Sequence, residues 1–208
     1  MTSRPVSFFD RPTKTVARAL LGDVLVHALP TGPRLMGRIV ETEAYTEDDP
    51  ASHAAHLQKD PETGVIAGRG RGRDLFAPPG AAYVYLIYGR HWLLNVVTEP
   101  EGTAGAVLIR AVEPVAGRSA MRTRRDRSRD VDLTNGPGKL TEAFGIDDTQ
   151  HGTSLTDAPL YLAEGAAVDA AQVAQSSRIG ISNGVERPWR WYVAGNPYVS
   201  RATPSDQR

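Results

Sequence analysis

The chain has 208 residues, of which 40% are hydrophobic and 23% are charged, and its formal net charge is zero. This length and composition predict one folded domain over residues 1–208. The absence of cysteine excludes disulfides, thiolate zinc sites and cysteine-bound iron–sulfur clusters. Since there is no signal-peptide pattern and no apolar stretch of about 20 residues, we expect a cytoplasmic protein with no membrane partner.

The charges are unevenly distributed along the chain. Residues 41–62 contain seven acids and one lysine, whereas residues 64–129 contain eleven arginines and five acids. Six of those arginines fall between residues 118 and 129. This distribution can give a neutral protein one basic face, but a charge run is equally typical of a solvated helix surface or a mobile loop.

The first predicted elements are a helix and two strands. Asp10 is expected to cap a helix that has Pro12 in its first turn and that ends at Gly22. The β-rich runs at 23–27 and 38–45 predict strands.

A long loop and a hairpin follow. Residues 46–80 are rich in glycine, proline and charge and predict an irregular loop, with residues 64–73 as its least ordered part. Residues 82–88 and 92–98 are β-rich, and the short link Gly89-Arg90-His91 between them is typical of a hairpin.

The remaining elements are shorter. They are a strand at 106–112, a helix over the arginine cluster, a turn and short helix at 135–144, strands near 160–162 and 191–194, and a frayed tail at 201–208. Successive strands with helices only at intervals predict an α+β fold with a mainly antiparallel sheet, flanking helices and a protruding β-hairpin.

Two carboxylates are predicted on one face of the strand at 38–45. On a strand, Glu41, Glu43 and Tyr45 share one face, and the alternate residues 40, 42 and 44 take the other, core-facing side. Glutamate is depleted in strands, so the pair indicates a site, although an exposed strand face also explains it.

Two polar residues stand inside apolar runs. Arg110 is costly to bury unless it is paired, so it predicts either a structural salt bridge or a site shared with a carboxylate such as Glu43. Asn95 needs hydrogen-bond partners, in the sheet or in a site. Tyr88 is expected at the exposed hairpin tip, where an aromatic ring can enter a base stack as a wedge.

Several segments also match one known family in order, over about residues 7 to 200. They lie at 10–11, 16–22, 37–45, 79–80, 83–89, 95, 107–114 and 135–140, and the most specific are Glu-Thr-Glu-Ala-Tyr at 41–45 and the tyrosine-rich hairpin. Together they closely resemble the alkyladenine (3-methyladenine) DNA glycosylase family. The resemblance implies a base-excision-repair enzyme that flips damaged purines out of double-stranded DNA and hydrolyses the N-glycosidic bond. Its substrates would be alkylated or deaminated purines such as 3-methyladenine, hypoxanthine and ethenoadenine, in an order that the sequence leaves open.

The resemblance also assigns catalytic and base-binding roles. Glu43 would be the general base that activates water for attack on the sugar C1′, and Arg110 would position that water and keep Glu43 ionised. The residues expected around the flipped base are Tyr45, His53, Tyr85 and Asn95, with Asn95 obstructing the 2-amino group of guanine. His56 competes with His53 for its position.

The DNA-binding residues implied by the resemblance lie on two turns. Tyr88 would fill the gap in the base stack. Arg90 departs from the family, whose members often carry smaller or apolar groups at this tip, and it is expected to contact phosphate or stack beside the lesion. Gly136, Gly138 and Lys139 would contact phosphate at a helix N-terminus. No cofactor and no metal are expected, no amine nucleophile is implied, and the enzyme would be monofunctional, monomeric and associated with the nucleoid.

Two other functions remain open from the residues alone. A glycoside hydrolase could use Glu41 and Glu43, since alternate strand residues stand about 6.5–7 Å apart, within the range of inverting enzymes. A non-catalytic nucleic-acid-binding module would use the arginines and tyrosines but would give Glu43 no task.

Overall fold

The computed structural model describes residues 1–60, 62–127 and 129–207. Arg208, in the tail expected to be frayed, lies outside the described residues. The α-helices are α1 (Val6–Phe9), α2 (Thr13–Ala19), α3 (Arg118–Arg125) and α4 (Pro137–Phe144). The strands are β1 (Val24–Ala28), β2 (Arg34–Thr46), β3 (Gln58–Lys59), β4 (Ile66–Ala67), β5 (Ala82–Ile87), β6 (His91–Val97), β7 (Gly105–Ala116), β8 (Leu160–Ala163), β9 (Val173–Ser176) and β10 (Arg190–Val193).

One antiparallel sheet organises the described part of the chain. Its strand order is β5-β6-β7-β2-β1-β8, and β10 pairs with both β2 and β9. Strand β2 is central, because β7 pairs along its length while β1 and β10 share its other edge. Helices α2 and α4 pack against the sheet. The predicted α+β fold with a mainly antiparallel sheet is confirmed, and no helix among the described residues could cross a membrane.

A bulge in β2 changes the predicted alternation of its side chains. The pairing with β7 shifts register on both sides of Glu41. Ile39 and Ala44 therefore lie in the main core, whereas Val40 packs in a small separate cluster with Ala111 and Tyr198. The expectation that Val40 shares the core face with Ala44 is wrong, because the register leaves Val40 of β2 and Arg110 of β7 without a partner and so interrupts the alternation of side chains.

The start of α2 is stabilised from a distant loop. Asp10 ends α1 and does not cap α2, so the predicted cap is wrong. Instead, the carboxylate of Glu99 accepts hydrogen bonds from the Thr13 N–H at 2.6 Å and from the Thr13 hydroxyl at 2.7 Å. A carboxylate at this position satisfies a free N–H and complements the helix dipole.

The segment 46–80 contains short regular elements. Besides β3 and β4 it includes a 3₁₀ helix at Arg71–Phe76. Gly72 leaves no room for a side chain, since a Cβ there would collide with the backbone carbonyl of His53. This close approach packs the arginine- and glycine-rich part of the segment against the loop that contains His53.

Candidate active site

Glu43 is fully buried and each of its carboxylate oxygens is hydrogen-bonded. Oε1 accepts from the backbone N–H of Ile179 at 2.8 Å. Oε2 accepts from the Tyr45 hydroxyl at 2.9 Å and from Nη1 of Arg110 at 3.2 Å. Strands β2 and β7 supply the three side chains, because their antiparallel register brings residues 43 to 45 beside residues 106 to 110.

Glu41 belongs to the same set of buried charges. Its Oε1 accepts from Nε of Arg110 at 3.2 Å and from Nε of Arg190 at 2.6 Å, while Oε2 accepts from the Ser200 N–H at 2.7 Å. Burial acts to raise the pKa of this carboxyl, but Arg110, Arg190 and the Ser200 N–H outweigh it, so the pKa of Glu41 is lowered. A carboxyl whose pKa is lowered stays ionised, so Glu41 does not fit the proton-donating acid that a two-carboxylate glycoside hydrolase requires.

A second buried ion pair contacts Tyr45. The guanidinium of Arg178 forms an ion pair with Asp49 and donates to the carbonyl of Ala44 at 2.9 Å. It also lies 4.6 Å from the centre of the Tyr45 ring, a cation–π distance. We refer to Glu41, Glu43, Arg110, Arg178, Arg190 and Asp49 as the buried charge network.

Half of this network was missed by sequence reasoning. Arg190 stands beside the apolar strand residues Trp191, Tyr192 and Val193, and this signal is the same one that identified Arg110. Asp49 and Arg178 come from loops, and no local pattern marks them as a pair.

A cavity of about 450 Å³ opens beside Glu43. Its lining includes the sequence-predicted residues Tyr45, His53, Tyr85, Tyr88, Asn95, Arg110 and Gly138, together with loop residues such as Ile179. We call it the base cavity, after the flipped base that the resemblance is expected to place there. Of the two competing histidines, His53 borders it, while His56 is solvent-exposed. Glu43 itself lies behind Tyr45, Arg110 and Ile179.

Aromatic side chains form one wall of the base cavity. The His53 ring meets Tyr85 edge to face at 4.7 Å between centroids, and its Nδ1 is hydrogen-bonded to the Tyr83 hydroxyl at 2.7 Å. Burial, then Arg71 and His56, lower the pKa of His53, so its ring is neutral at pH 7. Burial, reinforced by the charge of Glu43, raises the pKa of Tyr85 to about 12. The wall therefore presents neutral rings, which suit stacking on a flat heterocycle.

Asn95 lies in β6 and lines the base cavity. Its side chain is buried, and Nδ2 donates to the backbone carbonyl of Tyr83 at 3.0 Å. This bond fixes the side chain across the strand pair and makes Asn95 a rigid polar obstacle on the cavity surface.

The hairpin predicted at 82–98 ends in the turn Tyr88-Gly89-Arg90. Both Tyr88 and Gly89 have positive φ, and the Tyr88 side chain is 86% exposed. Exposure of a large ring on a tight turn removes it from the core and leaves it free to contact a partner.

The second predicted DNA-binding turn leads into α4. Gly136 precedes the helix, and a Cβ on Gly138 would approach the His91 side chain to 2.9 Å. Lys139 donates to Oδ1 of Asn135 at 2.7 Å. The four predicted residues Arg90, Gly136, Gly138 and Lys139 line a second cavity next to the base cavity. No cluster of three or more His, Asp or Glu that could hold a metal occurs among the described residues.

Comparison with known proteins identifies one family. The family model described as methylpurine-DNA glycosylase matches residues 7–197. A protein of Salinibacter ruber named "Putative 3-methyladenine DNA glycosylase" is 71% identical over 205 residues, which cover 99% of this chain and 100% of that protein. Proteins of the same name from Prosthecochloris aestuarii and Methanoculleus marisnigri are 48% and 44% identical, over 95% of this chain and 90% and 98% of theirs.

Proposed function

This chain belongs to the methylpurine-DNA glycosylase family, and from that premise we propose that it hydrolyses the N-glycosidic bond of alkylated or deaminated purines flipped from duplex DNA. The observation that carries the proposal is the position of Glu43 directly behind an aromatic-walled cavity. The volume of about 450 Å³ lies in the range typical of small-molecule sites. Double-stranded DNA with a damaged purine is the proposed partner, and a monomer is the proposed active form.

Flipping supplies the substrate to the base cavity. A base inside a duplex is out of reach, and its extrusion costs a few kcal/mol, less when the pair is damaged. Stacking on aromatic side chains returns about 1–3 kcal/mol per base, a task for Tyr45, His53 and Tyr85. Tyr88, exposed on its turn, would enter the stack in place of the flipped base.

Glu43 would act as the general base. A water molecule would bind near Oε2, where Tyr45 and Arg110 border the cavity, because Oε1 is held by the Ile179 N–H. The water would transfer a proton to Glu43 while its oxygen bonds to C1′, and the base would leave with the electrons of the C1′–N bond. Arg110 would orient that water and stabilise the charged carboxylate before the transfer.

The product would be an abasic site on an intact strand. Schiff-base chemistry, which cleaves the strand, needs an amine nucleophile. No lysine is found among the described residues that line the base cavity. Asn95 would restrict the substrates by meeting the 2-amino group of guanine, which adenine and hypoxanthine lack.

The test is base release from labelled duplexes. Duplexes with one hypoxanthine or one ethenoadenine, and bulk methylated DNA, are incubated with the protein and then treated with hot alkali. We expect cleavage only after alkali, and a loss of about 10²–10⁴-fold in single-turnover rate for Glu43→Gln. Glu62→Gln, which changes an exposed acid, is the matched control and should keep the wild-type rate.

Two results would contradict the proposal. Cleavage without alkali would mean that the chemistry includes a lyase step. Tight binding of DNA without release of any of these bases would indicate a nucleic-acid-binding module instead.

A further inference from the structure

The cavity next to the base cavity is strongly basic. It has a volume of about 580 Å³ and shares His91, Arg110, Pro137 and Gly138 with the base cavity. Its other charged lining residues are Arg90, Arg125, Arg127, Lys139, Arg201 and Glu142. We call it the basic cavity.

Cations reach the basic cavity from four separate parts of the chain. Arg90 comes from the hairpin turn, Arg125 and Arg127 from the end of α3, Lys139 from α4, and Arg201 from the segment after β10. Glu142 is the one acid among the described lining residues, and it forms an ion pair with Arg125. The charge of the shared Arg110 is already balanced by Glu41 and Glu43. The cavity therefore retains an excess of positive charge.

Arg125 has hydrogen-bonding capacity that the described residues do not satisfy. Its side chain is only 10% exposed, yet Nε is buried without a partner among them. A buried charged donor without an acceptor is unfavourable, and a ligand with anionic oxygens would satisfy it.

Lys139 is also in an unfavourable position in the free protein. Desolvation lowers its pKa first, and repulsion from Arg125, Arg201 and Arg127 lowers it further, against the opposing attraction of Asp132. The backbone N–H groups at the start of α4 face the same region, since Gly136 precedes this helix and provides no side-chain cap. A helix N-terminus with nearby cations favours an anion.

We propose that the basic cavity binds a backbone phosphodiester of the damaged strand beside the flipped nucleotide, with Arg125 and Arg201 as ligands. This inference rests on the proposed function and extends it to two arginines outside the resemblance. The shared wall of the two cavities supports it, because a nucleotide whose base occupies one cavity must pass its backbone along the neighbouring surface. Arginine is well suited to bind phosphate oxygens in a bidentate manner.

The first measurement is the salt dependence of DNA binding. Loss of one phosphate contact lowers the slope of log K against log salt concentration by about 0.9. We expect this reduction for Arg201→Gln and for Arg125→Gln, measured on a lesion duplex with the Glu43→Gln protein so that the lesion stays intact. Arg34→Gln removes an exposed arginine outside both cavities and should keep the parent slope.

The second measurement locates the phosphate. Neutral methylphosphonate linkages are placed one at a time on either side of the lesion. At one position the neutral linkage should weaken binding of the parent protein about as much as Arg201→Gln does, and should not weaken the Arg201→Gln protein further. This lack of additivity is expected when both changes remove one contact.

The outcomes separate the proposal from its alternatives. Parent-like slopes and full additivity for both arginine variants would overturn it. Stabilisation of the protein by inorganic phosphate that requires Arg201, with unchanged DNA slopes, would assign the cavity to a free anion and also overturn it. Reduced slopes in a protein whose Glu43 form releases no base would support this inference while contradicting the proposed function.

Discussion

The base cavity and the basic cavity both contain arginines, but the protein gives these arginines different partners. Beneath the base cavity, Arg110, Arg178 and Arg190 are buried and each is bonded to a carboxylate. In the basic cavity, the described lining residues hold one acid, Glu142, against Arg90, Arg125, Arg127, Lys139 and Arg201, and Lys139 is repelled by its arginine neighbours. A site whose charges are already paired can hold a catalytic carboxylate in place without reorganisation. A site with more cations than acids gains most when an anion binds.

The largest expected effect comes from breaking the buried charge network. Arg110→Met removes the cation that Glu41 and Glu43 share and leaves the fully buried Glu43 without a charged partner. Removal of one partner of a buried pair typically destabilises a protein by about 3–5 kcal/mol. Urea unfolding at pH 7 measures this loss. Arg129→Met is the control, because its solvent-exposed ion pair with Asp132 should contribute no more than about 1 kcal/mol.

Equally small losses of stability in both variants would contradict this prediction. The network would then not depend on its charges for stability.

The pH dependence of stability tests whether the charge of Glu41 stabilises the folded protein. The pKa of Glu41 is lowered in the folded protein, so the stabilisation by its charge is present above the model-peptide value of 4.5 and is lost as pH falls through the folded pKa. Glu41→Gln should cost about 1.5–3 kcal/mol at pH 7, the range for a hydrogen bond to a charged group. Unfolding curves between pH 7 and pH 3 should show this difference shrinking below pH 4.5. A difference that stays constant with pH would mean that the charge of Glu41 contributes nothing.

Substitution of Tyr88 tests the DNA-binding role proposed for the exposed hairpin turn. Its ring is 86% exposed, so Tyr88→Ala should leave the free energy of unfolding within about 0.5 kcal/mol of wild type. Binding to a lesion duplex should weaken by about 1–3 kcal/mol, because the ring would no longer stack in the gap. Tyr88→Phe keeps the ring and should bind as wild type does. Equal weakening by both variants would assign the effect to the hydroxyl and contradict the role as a wedge.

The sequence predicted those parts of the fold and site that depend on local patterns. The antiparallel sheet followed from β-rich runs that succeed one another, and the hairpin from two such runs with a short link. Glu43, Arg110 and Asn95 were identified because polar residues interrupt strand patterns, and the structure places Glu43 against Arg110. Their roles in the reaction remain predictions.

The parts that were missed depend on contacts between distant segments. Glu99 caps α2 from 86 positions away, and Arg178 pairs with Asp49 across 129 positions. Neither pair leaves a periodic signal, since Glu99, Asp49 and Arg178 lie in loops whose conformation the rest of the fold determines. The bulge around Glu41 is also invisible in the sequence, because no glycine or proline marks the unpaired residues Val40 of β2 and Arg110 of β7.

Substitution of Lys139 is expected to change the stability least, and it is the most direct test of the basic cavity. Because its folded pKa is lowered, the charged form is disfavoured in the folded protein, and wild-type stability should rise slightly as pH increases towards 10.5. Lys139→Met removes this repulsion and also the hydrogen bond to Asn135, so its stability at pH 7 should stay within about 0.5 kcal/mol of wild type. Its salt slope for DNA binding should nevertheless fall by about 0.9, as for loss of one phosphate contact. A clear loss of stability with an unchanged salt slope would mean that Lys139 stabilises the fold and does not bind a phosphate. It would contradict the proposal that the basic cavity binds an anion.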